Sequence, residues 1–179
     1  MHNGDDAELA SRCLGGEPEA FEGLVARYER VLFNVAYRML GSREDARDVT
    51  QNAFVKAYEK LGTFDPRFRF FSWIYRIMMN EALNLRERRK PHRPLDPHLA
   101  GPHDPQAEVQ AREVSERVQA ALQELPADSR EVLVLRHFAE LSYSEMSALL
   151  KVPEKTVKSR LYSARQRLSD VLLHRSPAR

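Results

Sequence analysis

Apolar side chains in the first forty residues recur at intervals of three and four, the period of one helix face. Phe21, Leu24, Val25, Tyr28, Leu32, Val35, Ala36 and Met39 fall on that stripe, so the spacing predicts a helix over residues 18–40. Glu17 and Pro18 mark its start, because proline's fixed φ suits the first helical position, and Gly41 ends it. A second stripe of Ala46, Val49, Ala53, Ala57 and Leu61, with Phe54 and Tyr58 beside it, follows a Ser42–Asp45 capping box and closes at Gly62. After the loop "TFDPRFRF", Ser72 is expected to cap another helix running to about residue 89.

The pattern then breaks. Five prolines and a glycine fall within residues 91–106, too many for a regular element, which predicts a linker over residues 91–107. Beyond it, Val114, Val118, Ala121 and Leu122 mark an amphipathic helix over residues 108–124. Pro126 interrupts it, and residues 128–138 follow as a short helix. No internal repeat and no period-two strand pattern is present. The prediction is an all-α chain of two small helical domains, residues 1–90 and 108–179, joined by a flexible proline-rich linker.

The sharpest local signal is "LSYSEMSALLKVPEKTVKSRLYSARQRL", residues 141–168. Ser142 and Glu145 form a capping box ahead of a helix of about two turns with Met146, Leu149 and Leu150 inward. Pro153 then starts a longer helix whose inward stripe is Val157, Leu161, Ala164 and Leu168. Its opposite face presents Lys155, Lys158, Ser159, Tyr162 and Arg165, with Arg160 and Arg167 on the flanks. A short helix, a tight turn and a longer basic helix are the parts of a helix-turn-helix that lays its second helix in a major groove. Lys and Arg donate to guanine edges or phosphates, and Thr156 and Ser159 reach phosphate near the helix start. Lys151 stands where such turns favour glycine, and a left-handed lysine costs about 1 kcal/mol, so the turn is expected to be either slightly different or slightly strained.

Composition adds a charge pattern. The 179 residues are 42% hydrophobic and 30% charged, enough for two modest cores. The net charge of +2 conceals alternating blocks: residues 67–93 and 151–179 each carry a net +6, residues 1–66 carry −4, and residues 94–150 carry −6. Separated basic surfaces suit a polyanion held at two places, and acidic surfaces suit a basic protein partner. No apolar run approaches a spanning helix and the N-terminus lacks a signal pattern, so a cytoplasmic protein is expected. Cys13 is alone, which excludes an internal disulfide and predicts a small, partly buried side chain. The six histidines are scattered, three of them in the linker. No metal-binding spacing, phosphate loop or nucleophile elbow accompanies them, so no catalytic residue, metal, cofactor or small-molecule substrate is predicted.

Residues 125–168 resemble the C-terminal promoter-binding domain of bacterial sigma factors, with Met146-Ser147 for the usual Ile-Ala and Lys151 for a small residue. "REDARDVTQNAFVKAYEKLGTF", residues 43–64, is similar to a second sigma-factor segment through Asp45, Asp48, Gln51, Phe54, Lys56 and Ala57. Asn52 replaces an acid there and Thr50 an aliphatic residue. "FSWIYRIMMNEALNLRERR", residues 71–89, resembles the segment that follows, through Trp73, Tyr75, Arg76, Ile77, Asn80 and the terminal arginines. Together these cover about half of the chain and point to the small two-domain kind, the extracytoplasmic-function (ECF) sigma factors.

The resemblance implies core RNA polymerase, promoter DNA as duplex and as melted non-template strand, and an anti-sigma factor as partners. The last could hold the protein near the inner membrane. Asp45, Asp48, Gln51, Asn52 and Phe54 are expected to dock on the polymerase. Arg67, Phe68, Arg69, Phe70, Ser72, Arg76, Asn80, Asn84 and Arg88 are expected to hold the minus-10 element, with Arg86, Arg89 and Lys90 extending the basic track. Lys155, Thr156, Lys158, Ser159, Arg160, Tyr162 and Arg165 are expected to read the minus-35 element. Of the aromatics, Trp73 and Phe64 are assigned to the interior, whereas Phe68 and Phe70 are expected to be exposed. A stand-alone regulator that binds duplex DNA without polymerase is the alternative. It explains the C-terminal half but leaves the aromatic–basic N-terminal segment without a task.

Overall fold

The computed structural model describes the backbone of residues 3–88 and 105–174, and the side chains of residues 5–85 and 114–174. Every regular element among these residues is helical. They are α1 (Asn3–Leu14), α2 (Ala20–Leu40), α3 (Arg43–Glu59), a 3-10 turn (Leu61–Thr63), α4 (Phe70–Arg88), α5 (Pro105–Glu124), α6 (Ala127–His137), α7 (Tyr143–Leu150) and α8 (Glu154–His174). Contacts gather the helices into two compact units, α1–α4 and α5–α8, with residues 38–42 counted in the second. The predicted linker lies outside the described residues as far as 104. Its last three residues belong to α5, which begins at a proline suited to a first turn.

In the first unit the predicted stripe of α2 is buried through Leu24, Tyr28, Leu32 and Val35. The most extensive packing is α3 on α4, where Ala46, Ala53 and Ala57 let the backbones approach closely. From α4 come Phe70, Phe71, Ile74 and Met78, all buried. The sequence reading missed α1, because Leu9, Ala10 and Cys13 make too short a stripe to stand out. What fixes α1 is Asp6, a buried carboxylate bonded by the guanidinium of Arg27 and the hydroxyl of Tyr28. Burial, and then the bond to Asp6, hold the Tyr28 phenol well above its ordinary pKa. A buried carboxylate needs such partners to be tolerated. Cys13 is half-buried, as expected, and its thiol is pushed up by burial.

Several boundaries move. Pro18 lies in the turn before α2, where the Phe21 N–H bonds its carbonyl at 3.0 Å, and α2 starts at Ala20. Gly41 does end α2, in the left-handed conformation at φ +81°. Gly62 sits inside the 3-10 turn and has no such conformation. Nor is Ser72 a cap: α4 begins two residues earlier, and the Ser72 and Trp73 N–H groups bond the Arg69 carbonyl at 3.0 and 3.3 Å. Burying Phe70 and Phe71 draws them into the first helical turn. Among the described residues, Thr50 Oγ1 is a buried polar atom without a hydrogen-bond partner, at the position where the resemblance expected an aliphatic.

In the second unit, Ala121, Leu122, Val132, Leu135, Leu141, Met146, Val157, Leu161 and Ala164 form the core. Arg130 closes the end of α5, donating to the carbonyls of Leu122 (2.8 Å), Gln123 (2.9 Å) and Leu125 (3.1 Å). The predicted box at α7 is present in full. The Glu145 N–H donates to Ser142 Oγ at 3.2 Å, and the Ser142 N–H to the Glu145 carboxylate at 2.7 Å. Lys151 takes the left-handed conformation, φ 55° and ψ 41°, and Pro153 stands just ahead of α8.

Candidate DNA- and protein-binding surfaces

The loop between the 3-10 turn and α4 is built on a cluster of aromatics packed edge-on or at a tilt. Phe70 lies 5.3 Å from Tyr28, 5.3 Å from Phe64 and 5.4 Å from Trp73, ring centre to ring centre. Its exposure is 0%, whereas that of Phe68 is 59%. The expectation that both would face solvent is corrected for Phe70, which the helix start turns inward onto Tyr28. Phe64 and Trp73 are half-buried members of the same cluster. Ser72 is half-buried in the first turn of α4.

Beside Phe68 the loop carries Arg67, exposed, and Arg69, half-buried. Arg67 is engaged by Asp65, which sequence reasoning did not single out. Their contacts run from 2.5 to 3.0 Å and hold the Asp65 carboxyl below its ordinary range. On α4, Arg76, Asn80, Leu83 and Asn84 recur on one exposed face, and the exposed leucine was also missed. Asn84 makes a long contact to Glu81 at 3.4 Å, and Glu81 pairs with Lys56 of α3 at 2.5 Å. Arg88 ends α4; its side chain and that of Arg86 lie outside the described residues, as do Arg89 and Lys90.

On α3, Asp48, Gln51 and Asn52 are exposed and Asp45 is half-buried. Phe54 does not join them. It is 8% exposed and packs edge-on against Phe21 at 6.4 Å. The apolar residue on the polar face is Val55, 54% exposed, seven residues after Asp48 and four after Gln51. That spacing was the available signal, since Phe54 sits 100° further round the helix. Tyr58, also exposed, extends the surface toward Phe21 at 5.2 Å.

In the second unit, Lys155, Lys158, Ser159, Tyr162 and Arg165 are exposed along α8, with Tyr162 at 68%. Thr156 and Arg160, four apart, are half-buried and share a flank away from that strip. Tyr143 at the start of α7 lies between two cations, Lys158 Nζ at 5.4 Å from its ring centre and the Arg136 guanidinium at 5.2 Å. Such contacts steer Lys158 and tie the two helices of the motif together. Arg165 approaches His137 Nε2 at 3.4 Å. Burial, with Arg165 and Arg136 nearby, lowers the His137 pKa. Between α5, α6 and α8 lies an apolar groove of about 620 Å³, walled by Val118, Leu122, Leu133, Phe138, Leu168 and Leu172.

Comparison with known proteins matches both halves. Residues 24–92 match Sigma-70 region 2, and residues 115–168 match Sigma-70, region 4. The RNA polymerase sigma-H factor of Pseudomonas aeruginosa is 33% identical over 180 residues, spanning 93% of this chain and 93% of its own length. The ECF RNA polymerase sigma factor SigW of Bacillus subtilis is 32% identical, spanning 86% of this chain and 89% of its own. Among solved structures, CnrH in complex with the cytosolic domain of CnrY superposes with a TM-score of 0.76 at 32% identity, covering 96% of this chain and 99% of that one.

Proposed function

The chain belongs to the extracytoplasmic-function sigma factors of RNA polymerase, and on that premise we propose that its two helical units divide the promoter between them. As a sigma factor it binds core RNA polymerase and directs promoter recognition, DNA opening and transcription initiation.

The first unit takes the minus-10 element. Single-stranded DNA needs cations along its backbone and aromatic faces for its bases. Phe68, flanked by Arg67 and Arg69, offers the aromatic face, while Arg76, Asn80 and Asn84 continue along α4 with charge and amides. Phe70 acts behind them as the support of the loop. The exposed strip of α3, with Asp45, Asp48, Gln51, Asn52 and now Val55, docks on the polymerase. In the second unit Lys155, Lys158, Ser159, Tyr162 and Arg165 enter the major groove of the minus-35 element, with Thr156 and Arg160 at the flanking phosphates. The apolar groove between α5, α6 and α8 suits a protein rather than DNA, because DNA contacts are made mostly by charged and polar groups. An anti-sigma factor is the proposed regulatory partner, in keeping with the likeness to CnrH, solved with the cytosolic domain of CnrY. No helix among the described residues is long and apolar enough to cross a membrane. The proposed place of action is the cytoplasm, with binding rather than catalysis as the task.

The observation that carries this division is Phe68, an exposed ring among arginines on a loop whose other aromatics are packed. Adding the chain to core polymerase and measuring promoter-dependent run-off transcription tests it. Transcript that depends on the chain and falls with Phe68→Ala is the expected result. Tight duplex binding with no polymerase-dependent transcript would instead favour the stand-alone regulator.

A further inference from the structure

We propose that Asp65 is a built-in competitor for the phosphate contact of Arg67, setting how tightly the loop holds single-stranded DNA. The inference rests on the assignment of Arg67 to the melted strand made above. Arg67 Nε lies 3.0 Å from both Asp65 oxygens, and Nη2 lies 2.5 Å from Oδ2. A guanidinium presents its N–H groups as a planar fork matched to two anionic oxygens, whether of a carboxylate or a phosphate. In the free protein Asp65 therefore fills the Nε–Nη2 edge, one of the two bidentate edges open to a phosphate. The Arg67 side chain is 83% exposed, so its partner can be exchanged. The Asp65 carboxyl, held below its ordinary range first by the Arg67 side chain, stays ionised throughout the neutral range. An arriving strand must displace this carboxylate or accept its charge beside the phosphate. Either way the charge of Asp65 opposes binding.

Asp65 also shapes the loop. Its Oδ1 accepts the Arg67 backbone N–H at 3.0 Å, and its carbonyl accepts the Phe68 N–H at 3.0 Å. These bonds form the turn that presents the Phe68 ring. Charge and turn are separable, because asparagine keeps an Oδ1 acceptor and loses the charge. Asp65→Asn thus isolates the competition, and a second neutral variant, Asp65→Ser, keeps a shorter acceptor.

The test uses holoenzyme reconstituted from the full chain and core polymerase, with a labelled mixed-sequence single strand followed by fluorescence anisotropy between about 50 and 200 mM salt. Asp65→Asn is expected to bind about threefold tighter at the low-salt end. Its plot of log affinity against log salt should steepen by about 0.7, the contribution of one phosphate contact on a single strand. Asp65→Ser should change in the same direction, with thermal melts confirming that both variants fold. In an Arg67→Ala background the gain should vanish. Equal or weaker binding by folded Asp65→Asn overturns the inference, as does a gain that persists without Arg67. If Arg67→Ala alters neither affinity nor slope in either background, the assignment of Arg67 to the strand fails as well. An Arg67→Ala loss without an Asp65→Asn gain removes only the competition.

Discussion

The loop ahead of α4 and helix α8, the two surfaces proposed for DNA, present similar side chains by different means. On α8 the functional strip is a helix face, so one periodicity sets which residues point outward and which build the core. Lys155, Lys158, Ser159, Tyr162 and Arg165 are exposed because Val157, Leu161 and Ala164 are buried. In the loop no period operates. Phe68 and Phe70 are two residues apart with an arginine between them, yet one is exposed and the other fully enclosed. Their difference is decided by partners distant in the chain, chiefly Tyr28. A helix face can be read residue by residue, whereas a packed loop is read only with its surroundings.

The sharpest way to break that comparison is to truncate both phenylalanines. Phe70→Ala should cost about 3–5 kcal/mol of first-unit stability, because it leaves a cavity among Tyr28, Phe64 and Trp73. Phe68→Ala should change stability by no more than about 0.5 kcal/mol. It should instead weaken single-strand binding by about 1–3 kcal/mol. Thermal melts and strand-binding titrations of the two variants separate these effects. Similar losses of stability would erase the distinction between them.

A pair of hydroxyls sharpens it at smaller scale. Ser142 has a defined partner, so Ser142→Ala should destabilise the second unit by about 1 kcal/mol in denaturant unfolding. Thr50 has none in its buried site, so Thr50→Val should stabilise the first unit by about 1 kcal/mol. A destabilised Thr50→Val would mean that the hydroxyl is bonded in solution.

The smallest effect concerns pH. His137 has a folded pKa below its ordinary value near 6.5. As pH falls below that value the unfolded chain takes up the proton first, so stability present above about 6.5 is lost through the folded pKa. His137→Gln should flatten this part of the second unit's stability profile between about pH 7 and 5. An unchanged slope would show that His137 is not its source.

Most of the helices and the whole helix-turn-helix were legible in the sequence, because caps, prolines and period-3.6 stripes are local signals. At Lys151 the sequence left open a different turn or a strained one, and the left-handed conformation is the strained one. Where the reading failed, a longer-range contact had won. Helix α1 exists through Asp6 meeting Arg27 and Tyr28, a pairing that no stripe reveals. Phe54 was assigned outward by resemblance, and the position of Phe21 draws it inward and leaves Val55 on the surface. The pairing of Asp65 with Arg67 spans only two residues, yet it depends on how the turn folds.

By itself, then, the sequence determined an all-helical chain, the capped helix-turn-helix, the alternation of basic and acidic blocks, and the family. The first three rest on periodicity, capping chemistry and composition, which act over a few residues at a time. The family rests on the resemblance of residues 43–64, 71–89 and 125–168 to sigma-factor segments. Only the tertiary structure decided which aromatic of the loop faces solvent, which apolar side chain shares the exposed polar face of α3, and that Arg67 already holds a carboxylate. Those outcomes depend on packing, where each ring or charge takes the position its distant neighbours leave available.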